Sequence, residues 1–318
     1  MEGSSGTACW VVAVVTVREL PVEEYWLPGH SACPGCPAAL GLRMLGKALG
    51  GKFVLVVPAG CTTVIQGIYP RTPSRVPLLN IAFAASASAA SGLKAALELR
   101  GLDVPVVVWA GDGGTVDIGL QALSGAAERN EDILYVCYDN EAYQNTGIQR
   151  SGSTPAGAWT TTTPSGKRER RKDAALIVAA HRVPYVATAS VAYPLDFVEK
   201  VRKAASIKGF KYIHLHAPCP TGWRFPPSKM VEVGRLAVET GAWILYEIEN
   251  GVLKLTGRSR ALLDPSKRRP LEDYLRLQGR FAHLLRPENR EQLEQLKKSV
   301  DEAWETVRAI LERGGRVF

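Results

Sequence analysis

A β-branched, almost wholly apolar run, Val104-Pro105-Val106-Val107-Val108-Trp109-Ala110, stops at Gly111-Asp112-Gly113-Gly114. Such a run reads as a strand buried on both faces of a parallel sheet. A helix is expected from about Asp117 to Arg129, and a second apolar run, Ile133-Leu134-Tyr135-Val136-Cys137-Tyr138, ends just before Asn140. Parallel strands joined by a helix bring their C-terminal ends to one sheet edge, which is where open α/β sheets bind ligands. Glycines between strand and helix let the backbone approach a phosphate and aim N–H groups at it. Gly-Asp-Gly alone is a common turn. Followed by a helix, a second strand and an asparagine twenty-eight residues beyond Asp112, it reads as a Mg²⁺-diphosphate site. Mg²⁺ takes about six oxygens, a few from protein and the rest from phosphate and water. Asp112 can give a charged oxygen, Asn140 an amide oxygen and Ala142 its backbone carbonyl.

The chain carries six cysteines, four of them spaced as if they shared a ligand: Cys33 and Cys36 in Cys-Pro-Gly-Cys, then Cys61, then Cys219. Cys137 lies inside the second strand pattern and reads as a small core residue. Cys9 sits in a terminal segment with no partner in view. A set of this kind fits a disulfide framework, a zinc site or an iron-sulfur site. Nothing marks the chain as secreted, which argues against disulfides, while four thiolates suit zinc and iron alike. Gly60-Cys61 follows the strand pattern Phe53–Val57, so Cys61 belongs at the same sheet edge as Gly111.

Several segments together resemble one family. They are Gly29-His30-Ser31-Ala32-Cys33-Pro34-Gly35-Cys36, Gly111-Asp112-Gly113-Gly114, Tyr143-Gln144-Asn145-Thr146-Gly147, Arg150 to Pro155, Ala217-Pro218-Cys219-Pro220-Thr221-Gly222-Trp223 and Tyr246-Glu247-Ile248-Glu249-Asn250-Gly251. In this order, from about Arg18 to the C-terminus, they resemble the β subunit of pyruvate:ferredoxin oxidoreductase, the thiamine-diphosphate-binding subunit of the 2-oxoacid:ferredoxin oxidoreductases. The resemblance implies an α/β fold with a doubly wound, mostly parallel sheet of the diphosphate-domain type. It implies thiamine diphosphate and Mg²⁺ at Gly60, Cys61, Gly111, Asp112, Gly113, Gly114, Asn140 and Ala142. It also assigns a [4Fe-4S] cluster to Cys33, Cys36, Cys61 and Cys219, choosing iron over zinc where spacing could not. Asn145 matches a family asparagine near the thiazolium and substrate, against its plainer reading as a turn former before Thr146-Gly147.

The implied activity is oxidative decarboxylation of pyruvate to acetyl-CoA and CO₂, with one-electron transfers through the cluster to ferredoxin. In the family, the glutamate that serves the aminopyrimidine resembles one on the α subunit, so the implied partners are that subunit, γ and δ subunits or their fused equivalents, ferredoxin and coenzyme A. Sister enzymes for branched-chain 2-oxoacids such as 2-oxoisovalerate carry similar β subunits, and the segment around Cys219 leans to pyruvate or branched-chain substrates over 2-oxoglutarate by resemblance only. Two other classes compete. A non-oxidative thiamine diphosphate decarboxylase subunit needs no four-cysteine set, and a catalytically silent α/β scaffold with a structural zinc site needs no Asp112 and Asn140 together.

A net charge of +8 and a pI near 9.2 suggest an anionic partner. The chain has no zinc finger, RNP-type strand or aromatic-basic stripe to suggest nucleic acid; acidic ferredoxin, coenzyme A and a diphosphate explain the charge as well. The apolar stretch Ala8 to Val17 is too short to span a bilayer and lacks a basic flank. It reads as an extra strand or extension, 1–17, of a cytoplasmic protein without a membrane anchor. A cofactor-binding domain is expected over 18–240, and a hairpin with a helical extension over 241–318.

Within that frame, helices are expected over Pro37 to Gly50, Ala82 to Arg100 and Leu195 to Ile207, and strands over Tyr185 to Thr188 and Tyr212 to His216. The polar stretch Asn145 to Asp173 reads as a loop covering the cofactor and reaching a partner subunit. Its basic run, Lys167 to Lys172, reads as a solvated face. Trp243 to Leu255 reads as a hairpin with a type I′ turn at Asn250-Gly251. Apolar residues at Leu293, Leu296, Val300, Trp304, Val307 and Leu311 make an amphipathic helix for packing on this chain or a sister subunit. His30, His214 and His216 have no metal partner by spacing, and no paired-carboxylate arrangement is legible.

Overall fold

A computed structural model describes residues 15–318. Cys9 and most of the apolar stretch read as a strand or extension lie outside the described residues; within them, Val17 opens a short 3-10 helix, Val17–Glu19. Helix α1 (Pro37–Leu49) leads into strand β1 (Val54–Pro58), the short helix α2 (Cys61–Gln66) and strand β2 (Leu78–Ile81). Then come α3 (Ser86–Leu99), β3 (Val106–Gly111), a π-helical turn (Gly113–Asp117), α4 (Leu120–Glu128) and β4 (Ile133–Asp139). A long irregular segment precedes α5 (Ala174–Ala179), β5 (Tyr185–Ser190), α6 (Pro194–Ser206) and β6 (Lys211–His216). The chain closes with α7 (Pro220–Trp223), α8 (Met230–Glu239), the hairpin β7 (Tyr246–Glu249) and β8 (Val252–Leu255), α9 (Leu271–Arg276) and α10 (Arg290–Glu312).

One eight-stranded sheet runs in the order β2-β1-β3-β4-β6-β5-β7-β8. The strands from β2 through β5 pair in parallel, and β7 and β8 add antiparallel. β3 and β4 are buried almost throughout, as their unbroken apolar runs require. Helices cover both faces. Gly41 of α1 lies against Trp109 of β3, where a side chain would not fit. Ser86 of α3 meets Tyr135 of β4, whose registered neighbour is Val108, one residue from Trp109 and so on the opposite face. The sheet is thus doubly wound, and its strand order reverses between β1 and β3.

The helix expected from Asp117 instead begins at Leu120, because the chain first makes the π-helical turn right behind Asp112. Gly50 closes α1 in the left-handed conformation (φ 61°). Asn250 and Gly251 both have positive φ (48° and 78°), as a type I′ turn demands. The hairpin they close continues the main sheet along β5. α10 lays Leu296, Trp304, Val307 and Ile310 on its own chain, with the Trp304 indole donating to the Gly241 carbonyl at 2.9 Å. Among the described residues, no helix is long and apolar enough to cross a membrane.

Candidate cofactor and metal centre

The reversal between β1 and β3 opens a cleft at their C-terminal ends, and both ends carry glycine: Gly60-Cys61 after β1 and Gly111-Asp112-Gly113-Gly114 after β3. The N–H groups of Gly113 and Gly114, in the first turn of the π-helix, have no carbonyl behind them within that turn. Gly113 is also a packing requirement, since any side chain there would meet the ring of Tyr143. Tyr143 in turn donates to Asp117 at 2.8 Å.

Asp112 is 1 % exposed and forms no ion pair among the described residues. Its hydrogen-bond partner is the Ser151 hydroxyl, in a short bond, and the Asn140 amide lies 3.0 Å from its Oδ1. Burial and the nearby Asp139 charge push its carboxyl well above the usual carboxylate range, against the pull of Ser151. Asn140, at the end of β4, points its amide oxygen at the Ala142 carbonyl (2.9 Å) and at Asp112 Oδ1 (3.0 Å). Three oxygens from three residues therefore converge with no hydrogen between them. Adjacent ligands of an octahedron with Mg–O bonds of about 2.1 Å stand about 3 Å apart, so the Asn140 oxygen lies about one octahedral edge from each of the other two. Turned over, the amide donates to both oxygens, so its orientation depends on what the site holds.

The cysteines come from three places. Cys36 is the N-cap of α1 and receives the chain turn from Cys33 (Cys36 N–H to Cys33 O, 3.0 Å). Gly35, between them, packs directly on Pro227, just past α7, where a side chain would not fit. That contact brings the pair to Cys219, whose Sγ accepts from the Gly222 N–H at 3.4 Å. Cys61 heads α2. Burial and the charges of Cys219, Cys36, Asp112 and Cys33 push its thiol up to about 12; burial, with Cys36 and Cys33, pushes Cys219 up to about 11. The four thiols are thus close enough to repel one another as thiolates, and a positively charged metal group removes that cost. Among the described residues, no three His, Cys, Asp or Glu side chains stand close enough to share a single metal ion. Cys137 is fully buried in β4, away from this group.

The segment 145–173 is irregular but closely bonded. Ser151 caps Asp112, its N–H is bonded to Thr154 Oγ1 (2.9 Å), and that hydroxyl donates to the Glu141 carbonyl (2.6 Å). Asn145 lies at the exposed tip of a turn closed by Tyr143 and Gln149. The basic run is only partly the solvated face expected of it. Arg168 and Arg170 are exposed, but Lys167 is 3 % exposed and donates to the Thr154 carbonyl (2.7 Å), and Lys172 pairs with Asp117 (2.8 Å). Arg171 turns inward to Asp139 (2.8 Å) and Glu141 (2.9 Å). The reason is the acid-rich turn beneath it, which needs cations.

That turn forms a network the sequence did not reveal. Asp139 also bonds His214 Nε2 at 2.7 Å, and Glu141, held at φ +62°, faces Arg280 at 2.6 Å as an ion pair without hydrogen-bonding alignment. Although burial opposes it, His214 and Arg171 hold Asp139 well below the usual carboxylate range. His30 only turns its loop, accepting from the Ala32 N–H at 3.3 Å. A cavity of about 320 Å³ opens on the far side of Glu141, towards α10, and neither Asp112 nor any cysteine lines it.

Comparison with known proteins gives consistent matches. Residues 58–215 match the family model described as thiamine pyrophosphate enzyme, C-terminal TPP binding domain. The chain is 56 % identical over 266 residues to pyruvate synthase subunit PorB of Methanothermobacter thermautotrophicus, covering 82 % of this chain and 90 % of that protein. It is 50 % identical over 305 residues to ketoisovalerate oxidoreductase subunit VorB of Pyrococcus abyssi, covering 92 % of this chain and 95 % of that one. Among solved structures it is similar in fold, with a TM-score of 0.55 at 24 % identity, to a chain of 2-oxoglutarate:ferredoxin oxidoreductase from Magnetococcus marinus; the match covers 67 % of this chain and 78 % of that chain.

Proposed function

The chain belongs to the β subunits of the 2-oxoacid:ferredoxin oxidoreductases, and from this we propose that it binds thiamine diphosphate through Mg²⁺ and carries a [4Fe-4S] cluster beside it, within a complex that oxidises pyruvate. Thiamine diphosphate supplies the electron sink a 2-oxoacid needs to lose CO₂. In the proposal, Gly113 and Gly114 turn their N–H groups to the diphosphate, and Asp112, Asn140 and Ala142 hold the metal. Ser151 fixes the Asp112 carboxylate, and Cys33, Cys36, Cys61 and Cys219 hold the cluster. Gly60, Gly111 and Asn145 line the remaining cleft, Asn145 on the substrate side.

The observation that carries this reading is the placement of Cys61 and Asp112 just past the C-terminal ends of the neighbouring strands β1 and β3. A one-electron acceptor and a diphosphate anchor on adjacent strand ends suit electron transfer over a short path. The aminopyrimidine glutamate, the other subunits, coenzyme A and ferredoxin complete the proposal as partners, and a cytoplasmic setting belongs to it. The relative named for pyruvate favours that substrate. The relative named for ketoisovalerate, which matches over more of the chain, keeps branched-chain 2-oxoacids as the second reading. Metal analysis and the visible spectrum of the anaerobically assembled complex test the cluster: about four irons per chain and a brown colour are expected. Stoichiometric zinc without absorbance overturns it. The ratio of kcat/KM for pyruvate to that for 2-oxoisovalerate decides the substrate, and a value below one overturns pyruvate.

A further inference from the structure

Two buried side chains tie the turn that carries Asn140 to the turn that carries Cys219. Cys219 is the N-cap of α7, which ends at Trp223, whose indole N–H donates to the Asn140 carbonyl at 2.8 Å. The Gln144 amide donates to the same carbonyl at 2.9 Å, and Gly222 leaves no room for a side chain because Gln144 lies against it. Arg280 stacks on the Trp223 ring at 3.5 Å and pairs with Glu141, the residue after Asn140, at 2.6 Å. Trp223 and Arg280 are 1 % and 2 % exposed. Neither turn can shift without disturbing the other, because the indole N–H and the guanidinium reach only at this spacing.

We propose that Trp223, backed by Arg280, is a positioning residue that makes Mg²⁺-thiamine diphosphate binding and cluster retention depend on each other. The proposal rests on the reading of Cys219 as a cluster ligand and Asn140 as a magnesium ligand. With the cluster in place, Cys219 fixes α7, α7 fixes Trp223, and the Asn140 backbone is held where its side chain meets the metal. Loss of the cluster frees the start of α7 and weakens that hold. Coupling between sites is reciprocal, so bound diphosphate must strengthen cluster retention at equilibrium by the same free energy that the cluster adds to diphosphate binding. One buried hydrogen bond is worth about a fivefold to tenfold change in affinity.

The test uses the assembled complex, kept anaerobic. The Kd of thiamine diphosphate with saturating Mg²⁺ is measured by equilibrium dialysis, before and after iron is removed with a chelator, in the wild type and in Trp223→Phe. Iron removal should weaken binding about tenfold in the wild type, and in Trp223→Phe that ratio should fall towards one. A residue that merely fills space would lower both affinities and leave the ratio unchanged. A wild-type ratio of one, or an unchanged ratio in Trp223→Phe, overturns the proposal. Should Trp223→Phe fail to assemble, a second arm needs no variant: Mg²⁺-thiamine diphosphate should raise severalfold the chelator concentration that removes half of the wild type's iron at equilibrium, and an unchanged midpoint also overturns the proposal. The underlying assignments fail separately, if Cys219→Ser keeps its iron or Asp112→Ala keeps its cofactor.

Discussion

Replacing Asp112 by Asn should act in opposite directions with and without the cofactor. In the chain alone, the Asp112 carboxyl is 1 % exposed, with no cation beside it among the described residues. Burial and the Asp139 charge raise its pKa well above the ordinary carboxylate value. The sign of the linkage follows. A carboxyl whose folded pKa lies above its unfolded value of about 3.9 contributes stability that is fully present below that value and lost as pH rises through the folded pKa. At pH 7 to 8 the cofactor-free wild type therefore carries the penalty of this group. Asparagine keeps the hydrogen bond from Ser151, can donate to Asn140 and never ionises. Removing an uncompensated buried charge should raise stability by about 1–3 kcal/mol, or a few degrees in Tm at about 2 °C per kcal/mol for a chain of this size. With saturating Mg²⁺ and thiamine diphosphate the order should reverse. Taking one charge from a buried ion pair costs about 3–5 kcal/mol, so the Kd for the cofactor should rise about 100-fold or more. Thermal melts of wild type and Asp112→Asn, in the complex with and without cofactor and at pH 5 and 8, give all four quantities. The cofactor-free advantage of the variant should shrink at pH 5. If the variant melts lower in both states, the carboxylate is a structural hydrogen-bond partner and the argument from an uncompensated charge is wrong.

Ser151→Ala removes the only hydroxyl among the described residues that is bonded to the Asp112 carboxylate, and cofactor affinity should fall about tenfold, the worth of a hydrogen bond to a charged group, as measured by equilibrium dialysis. Cys219→Ser should lose most of the iron, while Cys137→Ser, buried in β4, should keep about four irons per chain; equal iron in both refutes the cluster assignment. Trp304→Ala empties the space between α10, the turn at Gly241 and Arg268 and removes the bond to Gly241, so stability in denaturant should drop by about 3–5 kcal/mol. If the +8 balance serves electron delivery to an acidic carrier, the ferredoxin reduction rate should fall as salt rises past a Debye length of about 10 Å at 0.1 M, while a neutral dye is reduced at a constant rate.

Local patterns made much of this legible. The strands β3 and β4 were visible because a fully buried strand must be apolar on both faces, and the hairpin because two consecutive positive φ values require residues such as Asn250 and Gly251. Asp112, Asn140 and Cys61 could be placed at one edge because parallel topology fixes which strand ends meet. Ser151 was out of reach: it stands thirty-nine residues from Asp112, in a segment with no periodicity, and nothing in a serine's neighbours says that it will cap a carboxylate. Lys167 and Arg171 were misread for a related reason. A run of basic residues looks solvated until the acids beneath it are known, and those acids become neighbours only through the tertiary fold. His214 had a visible face but no visible partner, since Asp139 lies on another strand and pairs with it through sheet register.

The electrostatics of one turn argue for a metal more strongly than the Gly-Asp-Gly spacing does. Asp112, Asp139 and Glu141 are three carboxylates, all buried, gathered at the ends of two adjacent strands. Unpaired buried charge costs several kcal/mol per group, so a fold that collects three must supply cations. It does so for two of them. Asp139 has His214 and Arg171; Glu141 has Arg171 and Arg280, the last brought from near the C-terminus. Arg171 lies in the irregular segment, and that segment passes directly over Asp112 through Ser151, so reach cannot explain why Asp112, of the three, has no cation among the described residues. A guanidinium in that position would fill the space where Asp112, Asn140 and Ala142 converge. The third carboxylate is left without a cation among the described residues, at the place where the Asn140 amide stands about one octahedral edge from both Asp112 and the Ala142 carbonyl. The positive charge it lacks is the charge that a bound divalent ion would bring, together with a diphosphate at the Gly113 and Gly114 N–H groups.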